Sequence, residues 1–482
     1  MNERKKNTII YVIIFLITLL LTLIGLQSSP FYNGITHNDS SVFQIIGNGL
    51  LKNKIPYKDL FDHKGPIVYV INALALLINK NIGLYILELI LLYIGTIYMY
   101  KTSKLMLKPI LSLSVCCIYE MLIFIVIIGG NFTEEYEIIF SSIALFYMMK
   151  ILYQGDIKSK KNWIFIGVTF AINFLIKPSY ISIWIAFGIA TLIYLIKNRK
   201  INELVIGVLY IILGIVIIFI PIIIYMISKN CVNDFLYAYF TLNMKYSKST
   251  MIERFDAFKR LIMYRGYFYF FILTLMNNII ILFTKKVDNK LKIFATLFFL
   301  ITLLLASYAA NVYIHYLIQY ALCMSLEVII VMSILDIKDN IIPFLIILCT
   351  VLYASYMTAT YNGICSLDAK MGNYIKECLD QIKTNIDEDD AILVLGNQPY
   401  YYIYLEKEPN FKYFFQTPIV LYNRDIEYET QNYIIDKKPK VIILECDNIM
   451  EKYFKVETKN IIENNYQKYN DKILKYYVLK EN

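Results

Sequence analysis

The sequence lacks most of the short motifs that mark soluble enzymes. It has no G-x-x-x-x-G-K-[ST] segment, internal repeat or low-complexity tract, which removes a nucleotide-phosphate loop and a repeat array from consideration. The eight cysteines fall at no metal or redox spacing. Cys116, Cys117, Cys323 and Cys349 lie inside apolar runs, and Cys231, Cys365, Cys378 and Cys446 are scattered, so buried thiols are expected rather than a zinc or dithiol centre, a disulfide among the last three staying open. Charge is also missing from long stretches. Thr8 to Leu26 contains none, and about 20 apolar residues suffice to cross the hydrocarbon core. Asn2-Glu3-Arg4-Lys5-Lys6 ahead of it resembles a signal-peptide n-region. The apolar run is too long for one and has no small-x-small cleavage site, so an uncleaved first helix is expected.

What the chain does have is apolar surface: 58% of its 482 residues are hydrophobic and its mean hydropathy is +0.53. That composition predicts a polytopic membrane protein. The net charge of +9 sits in short clusters between apolar runs, which is a mark of topology and not of nucleic-acid binding. Eleven spans are expected, at about 8–26, 81–100, 109–128, 135–153, 162–176, 179–196, 202–227, 266–284, 291–310, 314–335 and 341–360. The connections at Lys101 to Lys108, Lys150 to Lys161, Lys197 to Lys200 and Lys285 to Lys292 are rich in lysine and alternate with poorer ones. By the positive-inside bias they are cytoplasmic, placing the N-terminus inside and the C-terminus outside the plasma membrane.

Pro66 to Asn79 is too short for an ordinary span and reads as an interfacial or re-entrant helix. Asp39 to Leu51 is amphipathic, with Val42, Phe43, Ile45, Ile46 and Leu50 near helical spacing, so the first outer loop is expected to carry helices lying on the membrane surface. The outer connection from Ser228 to Arg265 is basic (Lys229, Lys245, Lys248, Arg254, Lys259, Arg260, Arg265), against the simple charge rule. After Ile364 the composition changes. "AILVLG" (391–396) and "KVIILE" (440–445) read as buried strands, with helices near Gln398 to Leu405 and Ile426 to Lys437. The expected organisation is an α-helical membrane domain over 1–363 and a small extracytoplasmic α/β domain over 364–482.

With this topology all three histidines, His37, His63 and His315, lie at the outer face. So do "THNDSS" with Asp39, "FDHKGP" with Asp62, His63 and Lys64, "GGNFTEEYE" with Glu134, Glu135 and Glu137, "LIKPSY" with Lys177, and "NVYIHY" with His315 and Tyr316. Mid-span charge is confined to Glu88, Glu120 and Glu327. Each outer residue has a plainer reading: Asp39 as an N-cap, Glu134 and Glu135 as first-turn acids on a helix dipole, Lys177 as a snorkelling turn residue, His315 as a boundary imidazole bonded to a carbonyl. The functional reading rests on their coincidence. A carboxylate near apolar surface can act as general base toward an attacking hydroxyl or amine, and lysine or imidazole can hold a departing phosphate.

The order of these motifs resembles the GT-C glycosyltransferase superfamily, in its bacterial protein-mannosyltransferase-like and aminoarabinose-transferase-like branch. The resemblance covers about residues 1–360, and "VLGNQPYYYIYLEKEPNFKYFFQTP" (393–418) is similar to the outer C-terminal domain of many bacterial members. It implies a GT-C fold and inverting transfer of a sugar from a polyprenyl-phosphate donor to an envelope glycan, lipid, wall polymer or protein at the outer face. On that resemblance Asp39 is the catalytic base. The family's Asp-Glu pair is Asp39-Ser40 here, and Glu134 or Glu135 would supply the second acid. Lys177, His315 and Tyr316 match positions that handle the lipid phosphate, and His63 and Lys64 match the entry to the interfacial helix, with His37 beside Asp39 on the substrate side. Some relatives use a divalent metal; with no dedicated ligand cluster, no metal or other cofactor is expected. Three rivals stand beside it: a non-enzymatic flippase or transporter of lipid-linked sugars, an outer-facing polysaccharide polymerase, and a catalytically inactive relative serving as an assembly partner.

Overall fold

In lipid every backbone N–H and C=O must be satisfied within its own segment, so apolar runs of this length fold as helices. The computed structural model describes residues 3–263, 267–308, 310, 312–337, 341–415, 417–446, 448–470 and 474–480; Arg265 of the basic connection lies outside them. In chain order the helices are α1 (Glu3–Gly25), α2 (Asn38–Leu51), α3 (Pro66–Ile78), α4 (Gly83–Ser103), α5 (Pro109–Val126), α6 (Thr133–Leu152), α7 (Lys160–Phe174), α8 (Ser182–Lys197) and α9 (Ile201–Ser228). There follow α10 (Val232–Leu236), a π-helical turn (Tyr237–Leu242), α11 (Asn243–Tyr246), α12 (Met251–Met263), α13 (Tyr267–Phe283), α14 (Asn289–Ala306), a 3-10 turn (Ile314–Leu317) running into α15 (Ile318–Leu335), and α16 (Ile341–Tyr361). The remainder is α17 (Leu367–Lys383), β1 (Ile392–Leu395), α18 (Tyr400–Tyr404), α19 (Asp425–Lys437), β2 (Val441–Leu444), α20 (Ile449–Tyr453), α21 (Val456–Asn465), β3 (Tyr466–Asn470) and β4 (Lys475–Leu479).

Each of the eleven expected runs falls on a helix. Among the described residues seven helices are long and apolar enough to cross a membrane, and α12 with α13 makes an eighth if that bent pair is one span. The other three runs are α6, which carries Glu134, Glu135 and Glu137 at its start and Lys150 near its end, and α7 and α8, which have 15 and 16 residues. The short apolar segment after Gly65 is the 13-residue α3, begun by Pro66 at its first position, where a missing N–H costs nothing.

The chain folds as two compact units, both discontinuous. The first comprises 1–29, 85–225 and 246–362; the second comprises 30–84, 226–245 and 363–482. In the first unit α5 and α15 are buried along almost their whole length. α16 and α1 pack with α5, α14 packs on α8, and α6 on α7. Two mid-helix acids are bound rather than open. Glu120 on α5 accepts from the Thr18 hydroxyl of α1 and, at 3.0 Å, from Thr96 of α4. Glu327 on α15 accepts from the Asn278 amide of α13, whose own oxygen accepts from Thr296 of α14 at 2.8 Å.

In the second unit α2 lies directly on α3. A Cβ at Gly47 would stand 2.8 Å from the Ala73 nitrogen, so this crossing needs glycine. The sheet runs β1-β2-β4-β3, with β1 and β2 parallel (Ile392 opposite Val441) and β4 antiparallel to both its neighbours. β1 and β2 are buried throughout, as their unbroken apolar sequences predict. The segments of this unit are tied together by Lys54 Nζ to the Pro409 carbonyl (2.8 Å), Phe61 N–H to the Lys412 carbonyl (2.9 Å), Lys412 to Asp234 (3.1 Å) and the ring of Tyr57 on that of Phe235 (5.3 Å). All eight cysteines are free thiols. Cys349, Cys365 and Cys446 are exposed, so the expectation of buried thiols fails for three of them, and no disulfide joins Cys365, Cys378 and Cys446.

Candidate active site

The candidate residues gather into two clusters, one in each unit. In the second unit α2 begins at Asn38, and its N-cap is His37, whose Nδ1 accepts from the Ser40 N–H at 3.3 Å. The N-cap reading of Asp39 is therefore corrected: the cap lies two residues earlier, leaving Asp39 in the first turn with its side chain one-third exposed. Lys64 Nζ lies 4.0 Å from Asp39 Oδ2 and 3.0 Å from His63 Nε2. His63 Nδ1 is 3.3 Å from Asp62 Oδ1, and the Tyr69 hydroxyl donates to Asp62 Oδ2 at 2.8 Å.

This is a chain of polar groups, Asp39, Lys64, His63, Asp62 and Tyr69, and its logic fixes the histidine. Lysine can only donate, so Nε2 of a neutral His63 accepts from it and Nδ1–H points at Asp62. The backbone supports the arrangement: the Tyr57 hydroxyl donates to the Lys64 carbonyl at 2.9 Å, the Tyr69 hydroxyl oxygen lies 3.1 Å from the same carbonyl, and Asn243 donates to the His63 carbonyl at 2.8 Å. Asp62 is almost wholly buried. Burial pushes its carboxyl up from 3.8 to about 6, Lys64 and the Tyr69 hydroxyl pull it back, and Asp39 adds to the rise.

In the first unit a left-handed turn delivers the acids. Gly129, Gly130 and Asn131 have φ of +86°, +85° and +52°, a run that two glycines and an asparagine tolerate and branched residues do not. Glu88 of α4 anchors this turn: it accepts the Asn131 N–H at 2.5 Å and the Ser28 hydroxyl. A Cβ at Gly130 would meet Glu88 Oε1 at 2.5 Å. Phe132 follows and stacks on the His315 ring at 4.8 Å between centroids.

Glu134, 1% exposed, then enters a cationic cluster. Its Oε1 pairs with Lys177 Nζ at 2.5 Å and lies 3.7 Å from His315 Nε2, while the Thr133 hydroxyl donates to Oε2 at 2.7 Å. Lys177 also sits over the Tyr316 ring at 4.3 Å and the Tyr180 ring at 5.3 Å. Glu135 does not join this group. Its carboxyl lies beside that of Glu88, against the backbone of Asn131 and Phe132.

Asp39, His63 and Lys64 are thus together in one cluster, with His37 capping the helix that carries Asp39, and Glu134, Lys177, His315 and Tyr316 are together in the other. Tyr69 and Phe132 were not singled out from sequence, while Asp62 and Glu88 were named there without a role in the site. The signal for Glu88 was its mid-span charge; for Asp62 it was the adjoining His-Lys. Among the described residues no group of three or more His, Cys, Asp or Glu is placed to hold a metal ion.

ArnT from Cupriavidus metallidurans bound to undecaprenyl phosphate has a similar structure, with a TM-score of 0.63 and 10% identity over 98% of this chain and 97% of that one. Its apo form gives 0.64 and 11% over 99% and 98%. The archaeal oligosaccharyltransferase AglB from Archaeoglobus fulgidus, in complex with an inhibitory peptide and a dolichol-phosphate, gives 0.55 and 11% over 98% of this chain and 74% of its own. Both are GT-C glycosyltransferases, so this chain has the GT-C fold. No curated protein matches it in sequence. Residues 1–342 match the family described as "Putative competence-induced protein Ccs4 N-terminal domain". The chain belongs to this Ccs4 competence-induced family and combines its N-terminal domain with the GT-C fold.

Proposed function

We propose that this protein transfers a sugar from a polyprenyl-phosphate donor to an envelope acceptor, a glycan, lipid, wall polymer or protein, with the N-terminus cytoplasmic and residues 364–482 outside. The observation that carries the reading is the Glu134–Lys177–His315 cluster: a lysine and an imidazole from separate connections, both at one buried carboxylate and framed by tyrosines. Such a set can exchange its carboxylate partner for the oxygens of a phosphate. The fold, shared with a protein bound to undecaprenyl phosphate and one in complex with a dolichol-phosphate, supports the donor class.

In the proposed step Asp39 takes the proton of an acceptor hydroxyl or amine, whose heteroatom attacks the anomeric carbon. The bond from that carbon to the phosphate oxygen breaks with inversion and polyprenyl phosphate leaves; Lys177 and His315, in the first unit, are separately proposed to bind a polyprenyl phosphate. Lys64 stands 4.0 Å from the Asp39 carboxylate, and Asp62 orients His63 beside Lys64. The mid-helix acids that a carrier would need as a path are already bonded to threonine and asparagine.

The test is release of polyprenyl phosphate by the purified protein from a panel of polyprenyl-phosphate sugars, with envelope extract as acceptor source. Acceptor-dependent release supports the proposal; donor binding with no release across the panel moves the reading to a carrier.

The same assay has a pH signature. A charged Asp62 accepts the His63 Nδ1–H more strongly than a neutral one, so turnover should rise through about pH 6 on the acid limb. The stability contribution has the opposite sign. A carboxyl raised from 3.8 to about 6 stabilises the fold fully below 3.8 and loses that contribution as pH rises through about 6. Asp62→Asn should remove this limb and lower turnover roughly 10- to 100-fold, the usual effect of losing the group that orients a functional histidine. An unchanged pH profile in the variant would assign the limb to another group.

A further inference from the structure

α12 has 13 residues, five of them charged (Glu253, Arg254, Asp256, Lys259, Arg260), and cannot cross a membrane. Its start is well defined. Thr250 and Glu253 form a reciprocal cap, with the Thr250 N–H donating to Glu253 Oε2 at 2.7 Å and the Glu253 N–H to Thr250 Oγ1 at 3.3 Å. One face is packed: Ala257, Leu261 and Ile262 are buried, Phe258 meets Phe271 edge-on at 6.1 Å, and Arg254 lies 4.2 Å over the Tyr308 ring and bonds Ser249 at 3.0 Å.

The opposite face is apolar and open. Ile252, Phe255 and Met263 are 76%, 66% and 61% exposed, with Met251 beside them at 78%. They align at helical spacing with Lys259 in the middle of the stripe and Asp256 and Arg260 along one edge of it. Exposed apolar residues elsewhere on the spans need no partner beyond the bilayer, but α12 is not a span. Its direction supplies the explanation. α12 and α13 differ in direction by 99°, and α13 is an uncharged 17-residue apolar helix. A helix at right angles to a spanning one runs parallel to the membrane plane.

We infer that α12 lies in the water–lipid boundary with Ile252, Phe255 and Met263 in the acyl region, and that Lys259 and Arg260 bind the phosphates of anionic phospholipids. Between residues 248 and 263 there are four cations (Lys248, Arg254, Lys259, Arg260) against two carboxylates (Glu253, Asp256), so the segment complements a negative surface and not a neutral one. The long stem of Lys259 can cross the apolar stripe and still reach the headgroups. The inference is independent of the transferase reading.

The experiment places p-benzoylphenylalanine at position 255, and at the buried position 261 as control, in the full-length protein. Each is reconstituted into vesicles of phosphatidylcholine alone or mixed equally with phosphatidylglycerol, and the photoadducts are identified by mass. Position 255 should capture phospholipid and position 261 polypeptide. Phosphatidylglycerol adducts at 255 should exceed phosphatidylcholine adducts roughly threefold, and Lys259→Gln with Arg260→Gln should remove that preference. No polyprenyl phosphate is present, so capture reports bulk phospholipid. Capture of polypeptide at 255, or no adduct there, would overturn the placement. Equal capture of both lipids by the otherwise unaltered protein would overturn the anionic selectivity.

Discussion

Asp39→Asn should lower polyprenyl-phosphate release roughly 10²- to 10⁴-fold, the contribution expected of a general base, with little loss of stability. The position favours a clean result. Asp39 is in the first turn of α2, but the capping bond there is made by His37. Its ion pair with Lys64 is 4.0 Å long and partly open to solvent, worth less than about 1 kcal/mol. Asparagine keeps the shape and loses the charge and proton affinity, so folding and donor binding should persist while turnover falls. Equal release by variant and wild type would return Asp39 to the ordinary role of an acid near a helix N-terminus.

The second large effect is on stability. Lys177→Ala leaves the Glu134 carboxylate buried with His315 and Thr133 but without its cation, and stranding one member of a buried pair costs about 3–5 kcal/mol. Adding Glu134→Gln removes the stranded charge. The double variant should recover much of the thermal stability in detergent, while donor binding should stay lost because Lys177 is gone. If single and double variants unfold at the same temperature, the Glu134–Lys177 pair is not what holds this corner of the first unit.

The apolar helices were legible because lipid enforces helix on any long apolar run, and each of the eleven expected segments falls on a helix. Three of them resist a simple length-and-charge test for physical reasons visible in the chain: α6 opens with three glutamates, and α7 and α8 are short. β1 and β2 were legible as continuous apolar quartets. β3 ("YQKYN") and its partner β4 ("KYYVL") were not, since the first has two polar residues between its tyrosines and the second has two tyrosines side by side, so neither shows the alternation that marks a half-buried strand.

At the candidate site, sequence could place Glu134 and Glu135 near a membrane end but could not choose between them. Consecutive helical residues point about 100° apart. One meets Lys177 and the other Glu88, and only the phase of α6 against its neighbours decides which. Asp62 was grouped with His63 and Lys64 at the outer face but given no role, because its defining partner, Tyr69, is seven residues on and approaches it through the start of α3.

The bonds of Glu120 and Glu327 also bear on how the chain is made. By insertion scales an unpartnered acid at mid-bilayer costs roughly 2.5–3.5 kcal/mol, and each of these helices must enter the membrane carrying one. In both cases the partners are synthesised first: Thr18 and Thr96 emerge from the ribosome before Glu120, and Asn278 and Thr296 before Glu327. Each acidic helix therefore arrives where its hydroxyl or amide is already waiting. Exchanging Thr96 for valine would burden biogenesis more than the finished molecule, and its mark would be a smaller yield of inserted protein.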